Sequence, residues 1–455
     1  MILYEPFKIK SVEPLPEASP TERQHWIKEA NYNIFKLHAS QITIDLLTDS
    51  GTAAMSDSQW AAMLKADETY AGSKDFDALE ATVQELTGMD YVVPTHQGRA
   101  AEHLLFSSLV KPGDLIISNG LFDTTLANVE YFKAEGRNLP CLAALDPFAE
   151  AKFKGNIDLD ALDKTFQAEP NRTPLVVITI TNNTGGGQPV SLENIQEARK
   201  ICDKYGKLLV IDACRFAENA FFIKRDEPGY ADKTPKEIAR ECFDLADAIT
   251  FSGKKDALSN IGGFVCTREE AVSESLKDKM IVVEGFPTYG GMAGYSIAAM
   301  NQGLIEVLDE RYLKYRLRTI SWMVEKLVAA DVPVLRPAGG HAIYIESSKF
   351  YPQIPRDKFP GLALTTDIYI RGGIRGCELG SLAFGVTQTD GSQKLPELDL
   401  VRLAVPRRVY TEAHMGFVVQ TIIDAYNERD SASGYEFLEE KLPMRHFRST
   451  FRKSS

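Results

Sequence analysis

The chain lacks most of what would mark a metal-ribbon, secreted or membrane protein. Its six cysteines, Cys141, Cys202, Cys214, Cys242, Cys266 and Cys377, include no CxxC pair, which argues against a zinc cluster or a dithiol redox motif. Their dispersal reads as reduced thiols within apolar runs, as at 263–266. No run of about 18 apolar residues exists, so no membrane-spanning helix is expected. The opening stretch MILYEPFKIKSVEP has no apolar signal-peptide core, which makes the cytoplasm the expected compartment. Positive charge is also short: 51 Lys and Arg against 63 Asp and Glu give a formal charge of −12. That balance repels nucleic acid and anionic membrane, so neither is expected as a partner. A site for a single phosphate stays open, because it needs only a few local donors. Internal repeats and low-complexity tracts are missing as well.

What remains is a chain of 455 residues, 44 % hydrophobic and 25 % charged, ordinary for a globular protein and long enough for two or three domains. Short β-rich runs at 91–94, 115–118, 175–180, 208–212, 248–252 and 263–267 alternate with amphipathic helical runs. One helix is well marked: Ser191 starts it, apolar residues recur at Ile195, Ala198, Ile201 and Cys202, and Gly206 stops it. Strands too apolar to face water, alternating with helices, predict an α/β domain with a mostly parallel sheet covered on both faces. Functional sites in such sheets lie at the carboxyl ends of the strands. Past Gly303 the pattern changes to a long helical stretch at 305–330, shorter strands at 340–346 and 400–405, a last helix at 415–426 and a basic tail. This predicts a second, smaller α+β domain. The expected division is an N-terminal arm at 1–18, a large domain at 45–310, and a small domain at 19–44 and 311–455. The segment before residue 45 joins either the small domain or a neighbouring subunit.

Four sequence words fall at expected strand ends. Phe251-Ser252-Gly253-Lys254-Lys255-Asp256 carries a lysine pair where a buried strand finishes; desolvation there favours a neutral amine able to form a Schiff base, while the plain reading is a solvated loop. The strand at 208–212 ends in Asp212, which is either a helix cap or the acid that keeps a pyridine nitrogen protonated. Pro94-Thr95-His96-Gln97-Gly98-Arg99 opens a helix whose positive end suits a phosphate, with Arg99 and Ser252 as added donors. Asn182-Asn183-Thr184-Gly185-Gly186-Gly187 is a turn in which an asparagine amide can meet a phenolic oxygen. Each word alone has a bland explanation; together, in the order glycine loop, Asn, Asp, Lys, they describe a pyridoxal-phosphate (PLP) site. Later, Val405-Pro406-Arg407-Arg408 offers either a surface basic pair or a fork for a substrate carboxylate.

These words, with IDLLTDSGT at 44–52, GGQPVS at 186–191, ENAFFIK at 218–224, EGFPTYGG at 284–291 and PRRVYT at 406–411, resemble the tryptophanase and tyrosine phenol-lyase family of β-eliminating lyases. The resemblance runs from Glu5 to Phe447. It implies PLP fold type I, with a mostly parallel seven-stranded sheet in the large domain. It implies that Lys255 holds PLP, that Asp212 pairs with the pyridinium, and that Asn183 and Arg215 face the phenolic oxygen. Gln97, Gly98, Arg99 and Ser252 take the phosphate, and Phe122 stacks on the ring. Tyr70 stands where the family places an acid or phosphate contact from the neighbouring subunit. Arg407 takes the substrate carboxylate with help from Ser50, with Thr48 beside it. Glu68, Gly51 and Asn260 match a monovalent-cation site, usually K⁺, at a subunit interface. The resemblance therefore also implies a homotetramer with composite active sites.

The substrate follows from fewer residues. Leu379 stands where tyrosine phenol-lyases carry an arginine for the phenolic hydroxyl, and an uncharged pocket favours indole. Asp123, His446 and Phe286 follow the tryptophanase form; the plain alternative for His446 is a surface histidine in a basic tail. The resemblance implies elimination of indole from L-tryptophan, leaving pyruvate and ammonia, a step of tryptophan catabolism. Tyrosine phenol-lyase chemistry, a homologue with altered substrate, an aminotransferase and a PLP-binding protein without catalysis are the alternatives. Two departures border the pocket: Leu126-Ala127-Asn128 replaces a Gly-His or Tyr-His pair, and Arg99-Ala100-Ala101 replaces a glycine-richer run.

Overall fold

The structure is a computed structural model and describes residues 4–388, 390, 392–442 and 444–454. The chain forms two compact units. One contains 50–144 and 151–317; the other contains 1–49, 145–150 and 318–455.

The larger unit is built on seven strands: β1 (Tyr91–Thr95), β2 (Leu115–Ser118), β3 (Glu135–Asn138), β4 (Leu175–Thr179), β5 (Leu208–Asp212), β6 (Ala248–Ser252) and β7 (Gly263–Thr267). Their order across the sheet is β1-β7-β6-β5-β4-β2-β3. Pairing is parallel from β3 through β6; β7 runs antiparallel to both β1 and β6. Every residue of β2, β4, β6 and β7 is buried, as a sheet covered on both faces requires. The sequence pattern missed only β3, because Glu-Gly-Arg-Asn is an edge strand with no apolar residue.

The helix Leu192–Tyr205 shows the local logic. Ser191 Oγ accepts from the Asn194 N–H at 3.1 Å, and Gly206 ends the helix at φ +62°, a conformation costly for any residue with a Cβ. The expected long helix at 305–330 is instead two, Gly294–Glu306 and Glu310–Val328, separated at Val307-Leu308-Asp309. A buried ion pair ties the second of them to the helix Phe216–Asp226: Arg316 Nε lies 3.1 Å from Glu218 Oε1, with both side chains almost fully enclosed.

The smaller unit holds a three-stranded antiparallel sheet, Cys377–Leu379, Leu400–Ala404 and Ala342–Glu346, packed against the helices Pro360–Gly372 and Glu412–Asn427. The N-terminal segment packs within this unit. Arg23 donates to the Ile370 and Arg371 carbonyls at 2.8 and 2.6 Å, and residues 4–18 carry no helix or strand. The unit boundaries differ from the expected ones in three places: 45–49 and 145–150 belong to the smaller unit and 311–317 to the larger. The basic tail is folded rather than free. Strands Tyr435–Glu439 and Thr450–Lys453 pair, and Arg445 is buried, donating to the Leu382 and Ser381 carbonyls at 2.7 and 2.6 Å.

Candidate active site

The sheet register gathers the four words at one edge of the larger unit. Thr95, Gly263 and Ser252 stand side by side across β1, β7 and β6, while Thr179, Asp212 and Thr250 stand side by side across β4, β5 and β6. The loops that follow these strand ends carry Gln97, Gly98, Arg99, Asn183, Arg215 and Lys255. Close approach is built in: a Cβ at Gly98 would lie 2.6 Å from Ser252 Cβ. Gln97 is the N-cap of the helix Gly98–Leu109, and no side chain caps that end.

Three cations converge there. Burial and the neighbouring Lys255 and Arg99 charges hold the Lys254 ammonium below its usual pKa. Lys255 is half-buried in the turn after β6, where its N–H donates to the Ser252 carbonyl at 3.2 Å. Asp212 is buried, and its Oδ1 accepts the Cys214 N–H at 3.2 Å. Asn183 and Arg215 are also buried, and the Arg215 carbonyl accepts from Thr181 Oγ1 at 3.0 Å.

Gln97 is oriented by a chain the sequence did not reveal. Glu284 Oε2 accepts from His96 Nδ1 at 2.6 Å, which leaves His96 Nε2 to accept from Gln97 Nε2 at 2.9 Å. Phe122 and Asp123 open the helix Asp123–Tyr131, and the loop before them is pinned by Asn119, whose side chain exchanges two hydrogen bonds with Thr179. Tyr70 is exposed and packs on Phe286 and Tyr289, ring centroids 5.4 Å away in each case.

Of the three cation ligands expected, Gly51 and Asn260 are neighbours, since a Cβ at Gly51 would lie 2.9 Å from the Asn260 carbonyl oxygen. Glu68 is engaged elsewhere in the same chain: its carboxylate accepts the N–H groups of Gly294 and Tyr295 at 2.9 and 3.0 Å, capping the helix Gly294–Glu306. Among the described residues no three His, Cys, Asp or Glu side chains cluster for a metal ion.

The remaining expected residues lie in the smaller unit, apart from Ser50, the first residue of the larger one. Arg407 is fully buried, and its Nη1 pairs with Asp49 Oδ2 at 2.8 Å, between the half-buried Thr48 and Ser50 in sequence. Asp49 was not singled out from sequence; its place inside the word IDLLTDSGT was the available signal. Leu379 is buried at the end of its strand. His446 is buried too, against the alternative that it is a surface residue of the basic tail. Burial and the Arg402 and Arg445 charges push its pKa down to about 4, and its Nδ1 has no hydrogen-bond partner. Its ring packs on Phe35 and Phe447.

The chain is similar to known proteins along nearly its whole length. The family described as beta-eliminating lyase matches residues 45–421. The tryptophanase of Hyphomonas neptunium is 49 % identical over 99 % of this chain and 99 % of its own. That of Salinibacter ruber is 48 % identical, over 99 % and 95 %. The tyrosine phenol-lyase of Pasteurella multocida is 42 % identical over 98 % of each. In the fold alone, a serine palmitoyltransferase of Sphingomonas wittichii superposes with a TM-score of 0.62 at 13 % identity, over 90 % of this chain and 97 % of its own. With a family match over most of its length and relatives near half identity end to end, the chain belongs to the β-eliminating lyases, PLP-dependent enzymes that break carbon–carbon bonds.

Proposed function

We propose that the chain cleaves L-tryptophan to indole, pyruvate and ammonia. The observation that carries the choice of substrate is Leu379: an apolar, 6 % exposed strand end leaves a phenolate without a cationic partner and suits an indole ring. The higher identity to tryptophanases than to tyrosine phenol-lyases supports the same reading.

The residues present fit PLP. An uncapped helix start, a glycine whose missing Cβ leaves room beside Ser252, and the Arg99, Lys254 and Lys255 cations make a donor set for a phosphate dianion. A buried acid, Asp212, suits a protonated ring nitrogen. In this reading Gln97, Gly98, Arg99 and Ser252 hold the phosphate, Phe122 covers the ring, and Asn183 and Arg215 meet its phenolic oxygen. When bound, PLP supplies an aldehyde for the substrate amine and an electron sink for the bond broken at Cα.

The side chains then divide the work. Lys255 Nζ removes the proton from substrate Cα. The Asp212 carboxylate keeps a proton on the pyridine nitrogen. Arg407, braced by Asp49, orients the substrate carboxylate together with Ser50 and Thr48. Tyr70, or Lys255 through a water, delivers a proton to indole C3, and Asp123 and His446 hold the indole N–H. A neutral His446 with an open Nδ1 is an acceptor for such an N–H. Phe286 borders the indole side.

In this reading Gly51 and Asn260, neighbours in the chain, hold K⁺ with a Glu68 from another copy, within a homotetramer. Six dispersed cysteines without a CxxC pair fit a reducing cytoplasm. Among the described residues no helix is long and apolar enough to cross a membrane. The test is to supply purified protein with PLP and K⁺ and offer L-tryptophan and L-tyrosine separately. Indole release supports the reading; phenol release without indole replaces it with tyrosine cleavage.

A further inference from the structure

One buried carboxyl group in the larger unit has no part in the chemistry above. Glu102 lies in the second turn of the helix Gly98–Leu109, 8 % exposed. Two hydroxyls take its two oxygens: Thr124 Oγ1 donates to Oε2 at 3.0 Å and Thr125 Oγ1 to Oε1 at 2.5 Å. Both threonines belong to the first turn of the helix Asp123–Tyr131, whose N-cap is Phe122 and which has no side-chain cap of its own. Glu102 thus grips the first turn of a neighbouring helix through its hydroxyl side chains, with its carboxyl near the positive helix end. The grip reaches the next residue, because the Thr124 N–H donates to Asp123 Oδ1 at 2.6 Å. A second tie between the same helices joins His103 Nδ1 to Asn128 Oδ1 at 2.9 Å, while Asn128 Nδ2 donates to the Thr124 carbonyl at 3.1 Å. Asn128, one of the departures from the family pattern, therefore braces the turn that Glu102 holds.

Glu102 also shares its surroundings with the residues of the proposed chemistry. Burial and the Asp212 charge raise its pKa to about 7 against the opposing pull of Thr125, Thr124 and Lys255. Its charge in turn helps raise the Cys214 thiol. Asp212, Lys255 and Cys214 are thus the titratable groups that face it.

We infer that Glu102 is a positioning residue. By gripping Thr124 and Thr125 it sets Asp123 against the strand ends that carry Asp212 and Lys255, and so governs the departure of indole. This rests on the tryptophan reading above. It deepens that reading by separating two kinds of leaving group. Indole leaves only after C3 has gained a proton, when the Cβ–C3 bond breaks and its electron pair returns to the ring. A thiolate leaves unaided, taking the Cβ–S pair onto sulfur, and needs no held indole N–H.

The holoenzyme and three variants, Glu102→Gln, Glu102→Ala and the double Thr124→Val, Thr125→Val, are assayed with L-tryptophan and S-methyl-L-cysteine. Loosening Asp123 by about 1 Å costs on the order of 100-fold in kcat, so the Ala and double-Val variants are expected to lose roughly that with tryptophan but under about threefold with S-methyl-L-cysteine. Gln, which keeps one acceptor oxygen, restores part of the tryptophan rate. Equal losses on both substrates, or no loss on either, overturn the inference. Thermal melting identifies any variant that fails to fold, and the milder Gln and double-Val variants then decide.

A second readout does not use turnover. The cofactor absorbance of the wild-type holoprotein, titrated without substrate, is expected to show a pH-dependent step that differs from that of Glu102→Gln, because Glu102 shares its surroundings with Asp212 and Lys255. An identical step in that variant overturns the inference. If the wild type releases no indole from tryptophan at all, the substrate reading fails, while this titration still tests the link between Glu102 and the cofactor site.

Discussion

Gly98→Ala is expected to weaken PLP binding as well as to destabilise the empty protein. The new Cβ would meet Ser252 Cβ at 2.6 Å, and Ser252 cannot turn it aside, because its Cα, 3.3 Å from the same point, belongs to the buried strand β6. Restoring an ordinary 3.4 Å contact moves the helix start away by 0.8 Å, which carries the Gly98 and Arg99 N–H groups off the proposed phosphate position. Overpacking of this kind costs the fold about 1–3 kcal/mol, and a loss of similar size in the displaced phosphate contacts is roughly 5- to 150-fold in Kd. The assay is a fluorescence titration of apo-protein with PLP, alongside melting curves with and without PLP. The apo melting temperature should fall, and the melting gain on adding PLP should shrink as well. Pairing Gly98→Ala with Ser252→Gly removes the opposing Cβ, so the double variant should bind no worse than Ser252→Gly alone. A Gly98→Ala Kd within about twofold of the parent, or strictly additive losses in the double variant, would refute the cradle.

Three other perturbations probe separate parts of the molecule. Asp49→Ala removes the partner of the buried Arg407 and should raise KM for L-tryptophan about tenfold or more, with a smaller change in kcat; steady-state kinetics checks it, and an unchanged KM removes the proposed brace. Glu218→Ala leaves Arg316 buried without its carboxylate and should cost about 3–5 kcal/mol in denaturant unfolding, whereas Glu218→Leu with Arg316→Met should recover most of that. His446 has a folded-state pKa below its unfolded one, so the native state binds fewer protons between pH 6.5 and about 4. Stability is therefore lost as pH falls through that window, by about 3 kcal/mol in all, and His446→Gln should flatten this part of the stability–pH curve.

Much of the larger unit was legible in the sequence because its strands are buried on both faces and end in chemically distinctive residues. Asp212, Ser252 and Lys255 follow continuous apolar runs, and the register brings them to one edge as expected. The edge strand Glu135–Asn138 was illegible because it has no apolar signature. Glu102 was hidden for the opposite reason: on a helix it reads as one more polar residue, and its value comes from Thr124 and Thr125, twenty-odd positions away in sequence. The pairing of Asp49 with Arg407 spans still more chain. The burial of His446 was not legible because arginines flank it in sequence, yet Arg445 turns inward to backbone carbonyls and the histidine goes with it. The capping role of Glu68 was unreadable, since a carboxylate expected to hold a cation and one that caps a helix look alike in sequence.

The measurement that bears most directly on the central claim is chemical trapping. Holoprotein reduced with borohydride, digested and mapped by mass spectrometry should carry the pyridoxyl adduct on the peptide containing Lys254 and Lys255, and fragmentation should place it on Lys255. A label on Lys254 or on any other lysine, or no label in a protein that still releases indole, would contradict the assignment.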